Sequence, residues 1–191
     1  EFLLSRPVSR GVFLCSHAAA FIALSLFIAA AVTAPVFVIG VPSFSGAAVW
    51  GFSIGVEYAV MAVTALFFSM VLSSAAGSAL ATLGFYVLAR MIGMLIGIAA
   101  MPAEKVIFAV LNKVMNVISI LVPRLDLTGQ TSWLVYGAEG SAGLAVDAGG
   151  GAYAQMLAQN LGIGGFIAAQ GVLFMALLLA AAAFDFQRRQ F

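Results

Sequence analysis

Charged residues are scarce in this sequence. Only 8% of its 191 residues are Asp, Glu, Lys or Arg, whereas 64% are hydrophobic; soluble domains carry about 25% charged residues. A fold surrounded by water could not cover its surface with so few charges, so the composition indicates a membrane protein. The formal net charge is +1 and no basic run is present, so nucleic-acid binding is not expected.

Cysteine and histidine are almost missing, with one of each. The single cysteine, Cys15, excludes an internal disulfide and a cysteine metal cage. The single histidine, His17, excludes a multi-histidine metal site and a pair of axial haem ligands. Both side chains are expected to be buried, Cys15 as a small apolar residue and His17 with a hydrogen-bond partner. No metal or other cofactor is therefore expected.

Enzyme motifs are missing as well. The sequence contains no G-x-x-x-x-G-K-[ST] phosphate loop, so the chain is not expected to hydrolyse a nucleotide by itself. Residues 51–55 match G-x-S-x-G, but that motif requires a strand-to-helix turn. A separation of about 20 Å, estimated from helical rise, would also leave Ser53 without His17 as a base. The sequence therefore does not predict an enzyme.

What the sequence contains instead is a series of long apolar stretches. A bilayer core requires about 20 apolar residues per helix. Residues 11–100 carry only two formal charges, Glu57 and Arg90, and turn residues divide this stretch in two places. The sequence predicts three spans there and one more near the C-terminus, with the approximate bounds 12–38, 51–72, 79–100 and 161–184. The first is longer than the apolar core of a signal peptide, about 7–15 residues, so we interpret it as a membrane helix.

Residues 101–160 are more polar and are predicted to lie outside the membrane. Within them, residues 104–122 have a narrow polar stripe opposite an apolar face, which predicts an amphipathic helix at the membrane surface or a re-entrant segment packed in protein. Trp133 and Tyr136 are expected to anchor this region at the surface. The predicted fold is an all-α polytopic membrane bundle of four transmembrane helices plus this outer amphipathic or re-entrant helix.

Basic residues flank the first and last spans. Arg6 and Arg10 precede the first, and Arg188 and Arg189 follow the last. The positive-inside rule then predicts that residues 1–10 and the tail, 185–191, are cytoplasmic. Four crossings are consistent with this orientation because the number is even.

The two intramembrane charges, Glu57 and Arg90, are expected to lie next to each other. Each would cost about 2.5–3.5 kcal/mol or more if left alone at mid-membrane. From the predicted helix ends, Glu57 lies about 9 Å below the outer surface and the two residues differ by about 5 Å in height. We predict a Glu57–Arg90 ion pair between neighbouring helices or across a dimer. It either positions the helices or lines a substrate path. Gly93 and Gly97, spaced as G-x-x-x-G, predict close helix packing.

The run at residues 3–14, Leu-Leu-Ser-Arg-Pro-Val-Ser-Arg-Gly-Val-Phe-Leu, resembles the permease subunit of ABC-2 type exporters. In that family a similar run lies in the cytoplasmic connection before the third membrane helix, at or beside the coupling helix that docks on the ATPase. Residues 123–127 and 184–189 also resemble segments of the family. The resemblance implies that the chain holds the last four of six helices. It assigns coupling to Ser5, Arg6, Pro7, Val8, Ser9 and Arg10.

Two functions remain open from the sequence. The resemblance implies a permease in the bacterial inner membrane that moves a substrate with a separate ATP-binding cassette ATPase and pairs with a second copy or a second permease. The alternative is a membrane-embedded scaffold or assembly factor without transport activity. The sequence does not identify the substrate.

Overall fold

The computed structural model describes residues 10–40, 43–99, 110, 113–115, 117–118, 121–135 and 152–188. All regular secondary structure in these residues is helical, and among them four helices are long and apolar enough to cross a membrane. The prediction of an all-α bundle of four membrane-spanning helices is therefore confirmed. The helices are α1 (Arg10–Gly40), α2 (Phe44–Val71), α3 (Ala75–Ala99) and α4 (Ala152–Arg188).

Helices α2 and α3 begin earlier than the sequence predicted. Helix α2 starts at Phe44 rather than at 51, because the Ser43 side chain accepts a hydrogen bond from the amide of Gly46 at 3.3 Å and caps the helix. Helix α3 starts at Ala75 rather than at 79, where Ser74 has the same role. The small residues that suggested turns are therefore caps followed by helix, and the links between helices are correspondingly short.

Helix α1 packs along one side only. Cys15 and His17 lie on its exposed faces, so the expectation that both are buried was wrong. The side that meets α2 carries small or apolar residues at helical spacing. Most of the other residues of α1 are exposed. The buried residues of α1 are Leu14, Ala18, Ser25, Ala29 and Thr33.

Helices that follow each other in the sequence run in alternating directions. The late part of α1, residues 26–37, shares a groove with the early part of α2, residues 48–55. The early part of α1 shares another with residues 61–69 of α2 and 78–86 of α3. Helix α4 runs parallel to α2, since Gly164 faces Val49 and Phe174 packs near Val60. We call the end with Arg10 and the α2–α3 turn the proximal end, and the opposite end the distal end.

Residues 121–135, the inserted segment, lie inside the bundle and extend to its distal end. At one extreme, an added Cβ on Gly46 would overlap the carbonyl oxygen of Trp133; at the other, Leu125 clusters with Val60 and Ala89. Gly46 and Val60 lie about 3 Å and about 24 Å from the start of α2. The segment, which includes a 3-10 turn at Leu125–Leu127, therefore descends about 20 Å into the bundle.

This insertion corrects the prediction for the outer region. Trp133 is fully buried, with 0% exposed, so it does not anchor a surface loop; it packs on Ile163, Phe166 and Ile167 of α4. Tyr136 lies outside the described residues. Of the predicted amphipathic helix at 104–122, the described residues 110, 113–115, 117–118 and 121 are helical and Val122 is not; the others lie outside the description.

Helix α4 is kinked. Gly162 has φ 71° and ψ 165°, a conformation that glycine adopts at little steric cost. The break separates a first portion, which begins at Ala152, from the apolar portion that was predicted at 161–184. The stretch of α4 able to span a membrane is Asn160–Asp185.

Candidate functional site

Glu57 and Arg90 lie next to each other inside the bundle. The Arg90 Nη1 atom is 3.7 Å from Glu57 Oε2. Because α2 begins at Phe44, Glu57 is about 20 Å from the start of that helix, which is deeper than the sequence estimate and near the middle of the span. The two are unequally covered: Glu57 is 6% exposed, whereas 39% of the Arg90 side chain is exposed.

Thr128 of the inserted segment bridges the two charges. Its hydroxyl donates to Glu57 Oε2 at 2.6 Å and accepts from Arg90 Nη1 at 3.2 Å. Thr128 is buried, with 3% exposed. The ion pair is therefore a three-residue arrangement that joins α2, α3 and the inserted segment.

Arg90 also binds the backbone of the inserted segment. Its Nη1 donates to the carbonyl oxygen of Thr128 at 3.0 Å and to that of Leu125. The Leu125 carbonyl oxygen also accepts from the amide of Thr128 within the 3-10 turn. A polar backbone group left unsatisfied in hydrocarbon costs several kcal/mol. Arg90 supplies the hydrogen bonds that water would supply outside the membrane.

Ser53 holds the next residue of the segment. Its hydroxyl accepts from the amide of Gly129 at 3.0 Å and donates to the carbonyl oxygen of Trp50 at 2.7 Å. Gly129 has φ 64°, which allows the segment to turn at this point. The G-x-S-x-G match at residues 51–55 therefore marks a packing position on a helix and not a nucleophile.

A second ion pair lies within the inserted segment. Arg124 binds Asp126 in a bidentate manner, with Nη2 2.6 Å from Oδ2 and Nε 3.2 Å from Oδ1. Gly93 of α3 makes room for it, since an added Cβ there would overlap Asp126 Oδ2 and lie 2.8 Å from Arg124 Nη2. Gly93 was predicted to admit a neighbouring helix, but it admits these side chains. The surroundings of Gly97 lie outside the described part of the structure.

Gln170 fixes the segment to α4. Its Oε1 accepts from the amide of Arg124 at 3.0 Å, and its Nε2 donates to the carbonyl oxygen of Val122 at 3.1 Å. One side-chain amide thus satisfies two backbone groups of a non-helical stretch. The polar cluster combines side chains from α2, α3, α4 and the inserted segment. By this name we mean Ser53, Glu57, Arg90, Arg124, Asp126, Thr128 and Gln170.

The cost of a charge in a membrane pointed to Glu57 and Arg90 and predicted that they pair with each other, but the sequence did not indicate their further partners in the inserted segment. Gln170 could have been found in a similar way, because it is a polar amide side chain within an apolar span. Nothing in the sequence marked Thr128 and Asp126 as site residues, because they lie in a stretch interpreted as an outer loop. The predicted coupling residues Ser5 to Ser9 are not among the described residues, and Arg10 is the first residue of α1.

The chemistry of the cluster is that of binding and positioning. Within the residues that the structure describes, no group of three or more His, Cys, Asp or Glu side chains could hold a metal ion. The Ser53 hydroxyl donates to a backbone carbonyl oxygen, and the Thr128 hydroxyl donates to the Glu57 carboxylate. Comparison with protein-family models, curated proteins and solved structures finds no match for this chain.

Proposed function

We propose that this chain is the membrane-spanning permease subunit of an ATP-driven exporter of the ABC-2 type. The observation that carries the proposal is the inserted segment with its charged partners at mid-depth. Non-helical backbone is tolerated at such depth only where protein buries it or where it lines a water-filled cavity. Ionisable residues inside a membrane commonly mark a substrate or ion path.

In this proposal the residues of the polar cluster have two roles: some hold the inserted segment in place, and Arg90 contacts the substrate. Glu57, Thr128 and Ser53 are buried and hold the segment in place. Arg90 is anchored through Nη1, while 39% of its side chain stays exposed. A group that accepts hydrogen bonds, or carries negative charge, would meet Arg90 first.

Coupling to ATP hydrolysis would enter through α1. The segment 1–10 leads directly into this helix of 31 residues, and α1 packs along α2, which carries Glu57 and Ser53. Movement of Arg6 and Arg10 by a docked ATPase would therefore reach the polar cluster through two packed helices. The resemblance of residues 3–14 to the coupling region of ABC-2 permeases supports this assignment. We place both chain ends in the cytoplasm of a bacterial cell, with a second copy or a second permease completing the transporter.

The scaffold function remains the second candidate, for a specific reason. Most contacts in the polar cluster join the inserted segment to the helices, which is what a purely structural clamp would do. A scaffold would need Arg90 only for the carbonyl oxygens of Leu125 and Thr128.

Co-expression with candidate ATP-binding cassette ATPases separates the two functions. For a permease, we expect the two proteins to purify together and to hydrolyse ATP in lipid vesicles at a rate that neither shows alone. An ATPase with a Walker A Lys→Ala substitution serves as the control. Failure to associate, or association without any change in hydrolysis, would reject the permease function and favour the scaffold.

A further inference from the structure

A separate feature lies at the proximal end, away from the polar cluster. Helices α1, α2 and α3 surround a cleft of about 830 Å³ that is open along one side. Its volume is within the range of ligand-binding pockets, about 300–1,000 Å³. Small residues on its walls, Ala62, Ala65 and Ala79, leave the space unfilled.

The lining of the cleft changes in polarity with depth. Ser69 and Ser78 lie about 3–5 Å from the α2–α3 turn, measured along their helices. His17 lies about 10 Å along α1. Farther in, at about 12–17 Å, the walls are largely apolar. The deeper lining residues are Phe21, Met61, Leu83 and Tyr86.

The order of these groups matches one leaflet of a bilayer. A lipid of that leaflet has its polar headgroup at the membrane surface and its acyl chains directed to the midplane of a hydrocarbon core about 30 Å thick. The cleft has the same order of polar and apolar parts.

His17 provides a hydrogen-bonding group at the polar end. Its Nδ1 lies 2.9 Å from the carbonyl oxygen of Phe13, and a carbonyl can only accept, so Nδ1 carries the proton and donates. Within the described part of the chain, Nε2 has no hydrogen-bond partner. An exposed imidazole nitrogen at this depth suits the ester and headgroup region of a phospholipid.

We propose that the cleft holds an acyl chain of one phospholipid from the adjoining leaflet, with the headgroup at the proximal end beside His17. This site is distinct from the polar cluster and does not depend on transport. It makes a lipid part of the packing among α1, α2 and α3.

Photolabelling tests the proposal on the full chain. The protein is reconstituted into vesicles of phosphatidylethanolamine and phosphatidylglycerol that contain a phospholipid with a diazirine on its acyl chain. After illumination, labelled peptides are identified by mass spectrometry. We expect labelling concentrated on residues 61–69 and 78–86. Equal labelling of all exposed apolar faces of α1 and α3 would overturn the proposal.

Two variants sharpen the test. Ala65→Trp fills the cleft, whereas Ala19→Trp adds the same side chain on an exposed part of α1 that does not line it. We expect Ala65→Trp to lower cleft labelling at least about tenfold, because excluding two buried methylene groups already has an effect of that size. Ala19→Trp should leave labelling unchanged. Equal labelling in both variants contradicts the proposal.

Native mass spectrometry of the wild-type protein gives an answer that does not depend on how the variants fold. After extensive detergent washing, we expect one phospholipid retained per chain. Complete loss of lipid from a folded wild-type chain would reject the site.

A photoreactive residue introduced at Ala79 provides a further check. It should crosslink to phospholipid. Crosslinking to a polypeptide instead would contradict the proposal, because it would show that a protein segment occupies the cleft.

Discussion

The hydroxyl of Thr128 donates a hydrogen bond of 2.6 Å to Glu57 Oε2, joining residues that are 71 positions apart in the sequence. Glu57 is nearly fully buried, so this hydroxyl and the Arg90 guanidinium take the place of water around the carboxylate. Removing one partner from a buried charge is far more costly than the pair is worth in net stability. The inserted segment and α2 are therefore expected to stay together as one unit.

Thr128→Val should destabilise the protein. Valine has nearly the same shape as threonine but leaves the Glu57 carboxylate without its closest donor, a loss of about 1–3 kcal/mol. We expect a lower unfolding temperature in detergent, measured by intrinsic fluorescence. Thr64→Val is the matched control, because the Thr64 hydroxyl donates only to the carbonyl oxygen of Val60 within its own helix. Equal shifts for the two variants would contradict the bridging role of Thr128.

The sequence was sufficient for features that depend on local composition. Four spans followed from the length of the apolar stretches, and Glu57 and Arg90 stood out because charge is costly in a membrane. The inserted segment was missed because its binding partners, Ser53, Glu57 and Gln170, are distant in the sequence. Nothing in the local pattern of residues 121–135 distinguishes a polar outer loop from a polar segment whose groups are satisfied inside a bundle.

Glu57→Gln and Arg90→Met, made separately and together, should show energetic coupling. Arg90→Met is expected to be the more harmful single change, because it removes the cation beside the buried Glu57 carboxylate and also a donor to the carbonyl oxygens of Leu125 and Thr128. We expect coupling of about 1 kcal/mol, toward the lower part of the range for contacting pairs, because Arg90 is partly exposed. Unfolding in denaturant provides the measurement. A double variant no more stable than the worse single variant would show that the two side chains are not paired.

Gly93→Ala should loosen the inserted segment, since its Cβ would overlap Asp126 and approach Arg124 closely. Gly84→Ala on the same helix is the control. No atom lies within 4 Å of an added Cβ at Gly84, and replacing a helical glycine with alanine favours the helix by up to about 1 kcal/mol. We expect opposite shifts in unfolding temperature for the two variants. Shifts of the same sign and size would mean that the contact between α3 and the Arg124–Asp126 pair does not form.

Gln170→Met should release one side of the inserted segment while keeping the size of the side chain. The amide of Arg124 and the carbonyl oxygen of Val122 would both lose a partner in α4. We expect faster amide hydrogen exchange across residues 121–135 with little change in α1. Asn160→Leu is a suitable control, because the Asn160 side chain donates only to the carbonyl oxygen of Met156 on its own helix. Unchanged exchange in Gln170→Met would show that α4 does not fix the segment.

Charge reversal at Arg6 and Arg10 tests the coupling role proposed for the chain's first residues. In Arg6→Glu with Arg10→Glu, we expect the chain still to insert in the membrane, because its four apolar helices are unchanged. We also expect the ATPase stimulation seen with the wild-type complex to be lost, because the docking surface would repel the partner. The matched variant Arg6→Lys with Arg10→Lys keeps the charge and should retain most of the stimulation. If the Glu variant still associates with the ATPase and stimulates it normally, these arginines are only membrane-surface anchors, and coupling must enter the bundle elsewhere.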